Sequence, residues 1–207
     1  MNSTKNSIIG YFSLFALLLF LDQASKIYIK THFYLGEEVV VFSDWFKIAF
    51  TENPGAAFGI ALGGKTGKYL LTIFRIVFSG FIAYFLFTKI KEHAHKGFLI
   101  AVTLILAGAV GNVIDGIFYG LIFSPSSYHS PVVAHFVPFG TGYADLFQGK
   151  VVDMLYFPMF NGQFPEWLPA IGGQYYTFFS PIFNLADSCI SIGLGLLLVF
   201  MKKLDLE

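Results

Sequence analysis

Residues 98–119 read FLIAVTLILAGAVGNVIDGIFY. The run is long enough to cross the roughly 30 Å hydrocarbon core of a bilayer as a single helix. Its two strongly polar members, Asn112 and Asp115, are spaced i,i+3 and therefore share one helical face. Ionisable groups are costly inside lipid and usually mark function there. This one stretch predicts a membrane helix that carries part of a site.

The rest of the chain has the same character. Of its 207 residues, 56% are apolar or aromatic, 26 are Phe, and 13% are charged, about half the ~25% of an average globular domain. Disorder is excluded, because it needs low hydrophobicity and high charge. A water-soluble globule would lack the charges to coat its surface. With 13 basic and 13 acidic residues, no net field points to nucleic acid. The single cysteine, Cys189, excludes a disulfide framework and a CxxC metal or redox site. Three further stretches qualify as spans: about 7–29, interrupted by Asp22 and Lys26; about 69–87, with Arg75; and about 181–201, with Asn184 and Asp187. After the first, the chain reads Asp22-Gln23-Ala24-Ser25-Lys26 and offers no A-x-A-like cleavage site, so it is expected to be a retained helix. The expectation is an all-α integral membrane protein with four transmembrane helices, one membrane-embedded domain over 1–207.

Basic residues give the orientation. Lys5, Lys89, Lys91, Lys96, Lys202 and Lys203 crowd the short segments 1–6, 89–97 and 202–207. The much longer segments 30–68 and 121–180 hold Lys30, Lys47, Lys65, Lys68 and Lys150. Both termini are therefore expected in the cytoplasm and both long connections outside. Within the first connection, Glu37–Phe42 and Trp45–Phe50 read as short strands. The second is long and rich in Phe, Tyr, Pro and Gly, a composition suited to the membrane–water interface.

With a rise of about 1.5 Å per residue, Asp22 lies about 22 Å from the inner end of its helix, and Asn112 and Asp115 about 21 and 25 Å from theirs. Asn184 and Asp187 fall about 5 and 9 Å below the outer surface if their helix begins at Pro181. The pairs Asp22/Lys26, Asn112/Asp115 and Asn184/Asp187 are each spaced to share a face. Three polar faces at one depth describe a site open to the outside, or a polar cluster that only fastens helices together. Asp153, in the apolar run Lys150–Phe157, either faces water on an interfacial strand or dips to join the cluster. Two carboxylates close together in a poorly solvated place hold a single proton between them near neutral pH. Such a pair can activate water with one member while the other polarises a carbonyl, with no metal or organic cofactor. A small channel or transporter with an outward-facing polar site is the competing reading.

These residues resemble the lipoprotein signal peptidases (signal peptidase II). The motifs occur in order: Asp22-Gln23-Ala24-Ser25-Lys26; Asn53-Pro54-Gly55-Ala56-Ala57-Phe58-Gly59; Gly108-Ala109-Val110-Gly111-Asn112-Val113-Ile114-Asp115; Val151-Val152-Asp153; and Phe183-Asn184-Leu185-Ala186-Asp187-Ser188. The resemblance implies four membrane helices with a small outer β-cradle and an amphipathic outer segment. It implies an aspartic endopeptidase of the bacterial cytoplasmic membrane that removes signal peptides from prolipoproteins, cutting just before a diacylglyceryl-cysteine. Asp153 and Asp187 match its catalytic dyad. Asp22, Lys26, Asn53, Gly108, Asn112, Asp115 and Asn184 match positions that line or support the site. The partners implied are lipidated prolipoproteins and membrane lipid, the working form a monomer, with no metal or other cofactor. Two departures stand out. The family commonly has Arg directly after the helix 3 aspartate, whereas here Asp115 is followed by Gly116. The connection from Asp115 to Asp153 is also longer than usual, and its extra residues, about Ile122 to Gln148, are expected to pack as an outer elaboration, with a lid over the site or a docking surface as the alternatives.

Three other features are weighed on their own. Cys189 reads as a small packing residue. His93 and His95 lie in the basic inner loop, and His32, His129 and His135 are scattered without metal-ligand spacing. Arg75, about 9 Å inside its helix from Tyr69, either snorkels to lipid phosphate or pairs with a site carboxylate.

Overall fold

The structure, a computed structural model, describes residues 2–55 and 64–204. Ala56-Ala57-Phe58-Gly59 of the second motif and the end of the basic segment 202–207 lie outside the described residues.

Among the described residues, three helices are long and apolar enough to cross a membrane. Helix α1 is Asn2–His32, α2 is Gly64–Lys91, and α3 is Lys96–Ile114. A π-helical turn, Asp115–Tyr119, and a last turn, Gly120–Ile122, carry α3 onward without a break. Helices α1 and α2, and α3 taken together with its two further turns, extend past their sequence-based bounds at both ends, since polar flanking residues continue a helix that apolarity alone would end.

The last helix, α4 (Leu185–Leu204), departs from the expected 181–201. Its apolar part, Leu185–Phe200, is shorter than those of the other three. Residues 182–183 form a strand, so Asn184 stands outside the helix as its cap rather than inside a span. The depth inferred for it from a start at Pro181 is corrected accordingly.

Among the described residues six strands accompany the helices, more than an all-α label allows. They are β1 (Glu38–Phe42), β2 (Phe46–Asn53), β3 (Val151–Tyr156), β4 (Phe160–Gln163), β5 (Tyr175–Phe178) and β6 (Ile182–Phe183). The order β1-β2-β3-β6, antiparallel throughout, makes the small sheet, with Thr51 opposite Asp153 and Leu155 opposite Phe183. Val39, Val40, Val41 and Phe42 of the edge strand β1 are exposed, while the middle of β3 is buried. β4 and β5 form a separate hairpin, and Phe160 stacks on Phe178 with ring centres 4.6 Å apart. No amphipathic outer helix occurs among the described residues.

Two apolar clusters hold these parts together. Ile82, Leu86, Ile90, Phe98, Leu99, Val102 and Leu106 pack α2 against α3 at the end away from the sheet. Ile29, Leu35, Phe50, Tyr119, Phe123, Val152 and Met154 join α1 and the end of α3 to the sheet. The segment 123–150 packs as expected. Its backbone N–H groups of Val137, Gly140 and Ala144 donate to the carbonyls of Ile122, Leu121 and Gly120, which α3 leaves without helical partners.

Candidate active site

The first turn of α4 is built from both sides. Asn184 Oδ1 accepts from the Asp187 N–H at 2.9 Å, and Asp187 Oδ2 accepts from the Asn184 N–H at 3.4 Å. That is a reciprocal capping box, and it explains why the helix begins at Leu185. The i,i+3 spacing of these residues is therefore a cap signature and not the shared helical face read from the sequence. A second free N–H of this turn, that of Ala186, donates to Asp22 Oδ1 of α1 at 2.9 Å. Two carboxylates thus sit at the positive end of one helix, where negative charge is favoured.

Asp153 reaches the same place from the sheet. It lies in β3 between β2 and β6 and is 3% exposed, so the reading with this side chain facing water is excluded. Asn184 Nδ2 donates to Asp153 Oδ1 at 2.6 Å. Burial, and then the charge of Asp187, push the Asp153 carboxyl up to about 7, against the opposing hydrogen bond from Asn184. Asn53 also lies within hydrogen-bonding reach of Asp153. Its own Oδ1 accepts from the Gly55 N–H at 2.8 Å, closing the turn read from Asn53-Pro54-Gly55. Gly55 takes φ +93°, a conformation that suits glycine.

Asn112 of α3 connects the parts. Its Nδ2 donates to Asp187 Oδ1 at 2.8 Å, while its Oδ1 accepts from Lys26 Nζ at 2.9 Å and Asn184 Nδ2 at 3.3 Å. The amide is held with its donor toward the carboxylate because a cation holds the other end. Lys26, fully buried, also pairs with Asp22 Oδ2 at 2.9 Å and Asp115 Oδ2 at 2.8 Å. Gly108 and Gly111 are glycines for steric reasons. A Cβ at 108 would strike the Ala186 carbonyl and Ile190, and one at 111 would strike the Asp22 carboxylate. All nine sequence-predicted site residues are thus in one place, Gly108 as clearance rather than as a polar group.

Sequence reasoning missed two contributors, Gln23 and Tyr119, and left a third, Arg75, open between two readings. Gln23 Nε2 donates to Asp115 Oδ1 at 2.9 Å and Asp22 Oδ2 at 3.1 Å, and its Oε1 accepts from the Tyr119 hydroxyl at 3.2 Å. Gln23 stood inside a quoted motif, but adjacency to Asp22 is not a helical-face signal. Tyr119 enters only because the π-helical turn after Ile114 re-aims the end of α3, and such turns recur at functional sites. Arg75 Nη2 donates to the Gly55 carbonyl at 3.2 Å. Its helix starts at Gly64, so it lies about 16 Å from that end, deeper than the sequence suggested. Gly116 faces Thr72, one turn from Arg75, with 3.6 Å between a built Cβ and the threonine side chain. The cation on this wall comes from α2, not α3.

A second buried charge cluster lies beside the first. Lys30 of α1 pairs with Glu52 of β2, and Lys150 Nζ reaches the other Glu52 oxygen at 2.9 Å. Ser126 bonds to both Lys30 and Glu52, and the rings of Tyr143, Phe123 and Phe50 surround the Lys30 ammonium at 5.0, 5.3 and 5.8 Å. Burial raises the Glu52 carboxyl, but the lysines outweigh it and hold the group below the usual carboxylate range. Read from sequence, Lys30 and Lys150 are loop cations; the structure makes them a rivet between α1, β2 and the long connection.

Long apolar helices closed at one end by a sheet, with buried carboxylates gathered at that junction, define a membrane enzyme. Comparison with known proteins narrows the class. The family model for signal peptidase (SPase) II matches residues 14–203. A lipoprotein signal peptidase of Porphyromonas gingivalis is 52% identical over 188 residues, covering 90% of this chain and 80% of the relative. One from Amoebophilus asiaticus is 35% identical over 91% of this chain and 76% of the relative. Two solved structures described as a bacterial membrane enzyme, obtained by the in meso method, superpose with TM-scores of 0.60 and 0.61 at 25% and 27% identity. They cover 95% and 94% of this chain and 89% and 93% of theirs. The chain belongs to the signal peptidase II family, and it is a membrane peptidase.

Proposed function

We propose that this peptidase cleaves the signal peptide from diacylglyceryl-modified prolipoproteins just before the lipidated cysteine, with Asp153 and Asp187 as its catalytic dyad. The observation that carries the dyad is the bridge made by two asparagines: Asn184 bonds Asp153, Asn112 bonds Asp187, and the two amides bond each other. With its pKa raised to about 7, Asp153 is the member that holds the shared proton near neutrality. Asp187 accepts a proton from water as the water oxygen attacks the scissile carbonyl, and the Asp153 proton passes to the carbonyl oxygen. As the tetrahedral species collapses, the C–N bond breaks, the departing amine takes the proton held by Asp187, and a hydroxyl proton returns to Asp153.

In this reading 1–207 is one membrane-embedded domain acting as a monomer, and α4 is the fourth span. Both termini face the cytoplasm of a bacterial inner membrane, and the sheet and dyad lie at its outer face. Asp22, Lys26, Asp115, Asn53, Asn112 and Asn184 orient the dyad, and Gly108 gives α4 its room.

Asn is nearly isosteric with Asp but cannot relay the proton. Asp153→Asn and Asp187→Asn are each expected to abolish cleavage of a purified diacylglyceryl precursor while leaving the fold intact, and the double variant to be little worse than either. Near-normal turnover by either well-folded single variant would sink the dyad.

A further inference from the structure

Arg75 is a half-buried guanidinium on a membrane helix, and it forms none of the ion pairs found among the described residues. Its one hydrogen bond to a described residue goes to the Gly55 carbonyl. A Cβ built on Gly55 would stand 3.1 Å from Arg75 Nη1 and 3.2 Å from Leu71, so the side chain lies directly over this turn. The turn is the one that Asn53 closes with its side-chain oxygen, and the Asn53 side chain reaches Asp153. A chain of contacts therefore runs from α2, through the backbone of residues 53–55, to one carboxylate of the dyad. The charged groups around Arg75 are Asp187 of α4, Asp115 of α3, Asp153 of β3 and Lys68 of its own helix. Snorkelling to lipid phosphate does not explain a guanidinium turned toward that company.

We propose that Arg75 is a positioning residue of the peptidase: it clamps the Asn53–Gly55 turn against Asp153 and places a fixed positive charge beside the dyad. The proposal rests on the assignment of the dyad to Asp153 and Asp187. A guanidinium suits both tasks, because it stays protonated and offers several donors in a rigid fork, one of which goes to Gly55. A cation nearby stabilises an ionised carboxylate, so it draws the titration of Asp153 toward lower pH. Lys26 acts from the opposite wall through Asn112, and Arg75 is the cation on the α2 side.

The test is the pH profile of precursor cleavage by the full-length enzyme in lipid, with Asp153→Asn as the dead reference. Arg75→Gln removes the charge. Proton loss from Asp153 then becomes harder, the alkaline limb of the profile moves to higher pH, and kcat falls about tenfold. Arg75→Lys keeps the charge but lacks the fork, so its limbs coincide with those of the parent while kcat is lowered at every pH. Arg75→Gln limbs that superimpose on the parent's overturn the proposal. Should Arg75→Gln fail to fold, Arg75→Lys decides alone: shifted limbs, or full activity, overturn it. An active Asp153→Asn enzyme would instead remove the dyad on which the proposal rests, a distinguishable failure.

Discussion

Lys26 lies without solvent contact between two acids, Asp22 and Asp115. Replacing it with methionine would keep most of the packing volume and leave both carboxylates buried without their cation. Breaking a buried ionic group from one side typically costs about 3–5 kcal/mol. Lys26→Met is expected to lose stability on that scale by denaturant unfolding in detergent; an unchanged midpoint would mean that the cluster rearranges freely. In the proposed dyad Asp153 works protonated, so its pKa of about 7 sets the alkaline limb. The rate is expected to fall as pH rises through that value, and a rate still climbing well above it would remove the proton from Asp153. At this scale the sequence was highly legible. Polar residues inside apolar runs are conspicuous, and those quoted from Asp22 to Asp187 converge. What stayed hidden were partners whose chemistry is ordinary until a fold brings them together: Gln23, Tyr119, and Lys30 with Glu52.

Single elements set the geometry of these groups, and the start of α4 matters most among them. Asn184 has two separable tasks, capping the helix with its oxygen and holding Asp153 with its nitrogen. Serine caps a helix about as well as asparagine, but it cannot span to Asp153 in the same way. Asn184→Ser is therefore expected to keep its stability, whereas Asn184→Ala loses about 1 kcal/mol. Because the bond from Asn184 lowers the Asp153 pKa, both variants should move the alkaline limb to higher pH. Equal melting of the two variants would argue against the cap, and unmoved limbs against the bond. Elements were less legible than residues. Strands β1 and β2 show as β-prone runs, but the two-residue β6 and its capping box are too local to interrupt an apolar window, so the sequence places the start of the last helix four residues too early. The hairpin β4–β5 was missed because Gly162, Pro165 and the Gly172-Gly173 pair break its short strands apart.

For the whole molecule, the buried Glu52 cluster joins the long connection to the helices. Glu52 is held ionised by Lys30 and Lys150, with its pKa below the ordinary range. Its contribution to stability is present above the unfolded-state carboxylate pKa and is lost as pH falls through the lower folded value. Segment 123–150 is expected to resist a protease at neutral pH in the parent and to be cut in Glu52→Gln, where Lys30 would be left buried and unpaired; equal resistance would show that the aromatic packing suffices. Orientation is tested at the same scale, in a Cys189→Ala background. Cysteines at the exposed positions His93 and His129 should react differently with an impermeant reagent on intact cells, 129 labelling and 93 not. The reverse pattern would invert the topology. The length and apolarity of three helices were plain in the sequence, but the way 123–150 folds back on α3 depends on carbonyls freed at Gly120–Ile122, which no linear pattern announces. One contact has a consequence in time. The N–H of Ala186, near the start of α4, is capped by Asp22 of the first helix, so the proposed reactive centre is complete only after α1 and the start of α4 have met. A ribosome-bound chain that has made only α1 to α3 carries neither Asp153 nor Asp187, so the proposed dyad cannot form, and the chain stays silent, until the start of α4 has been made.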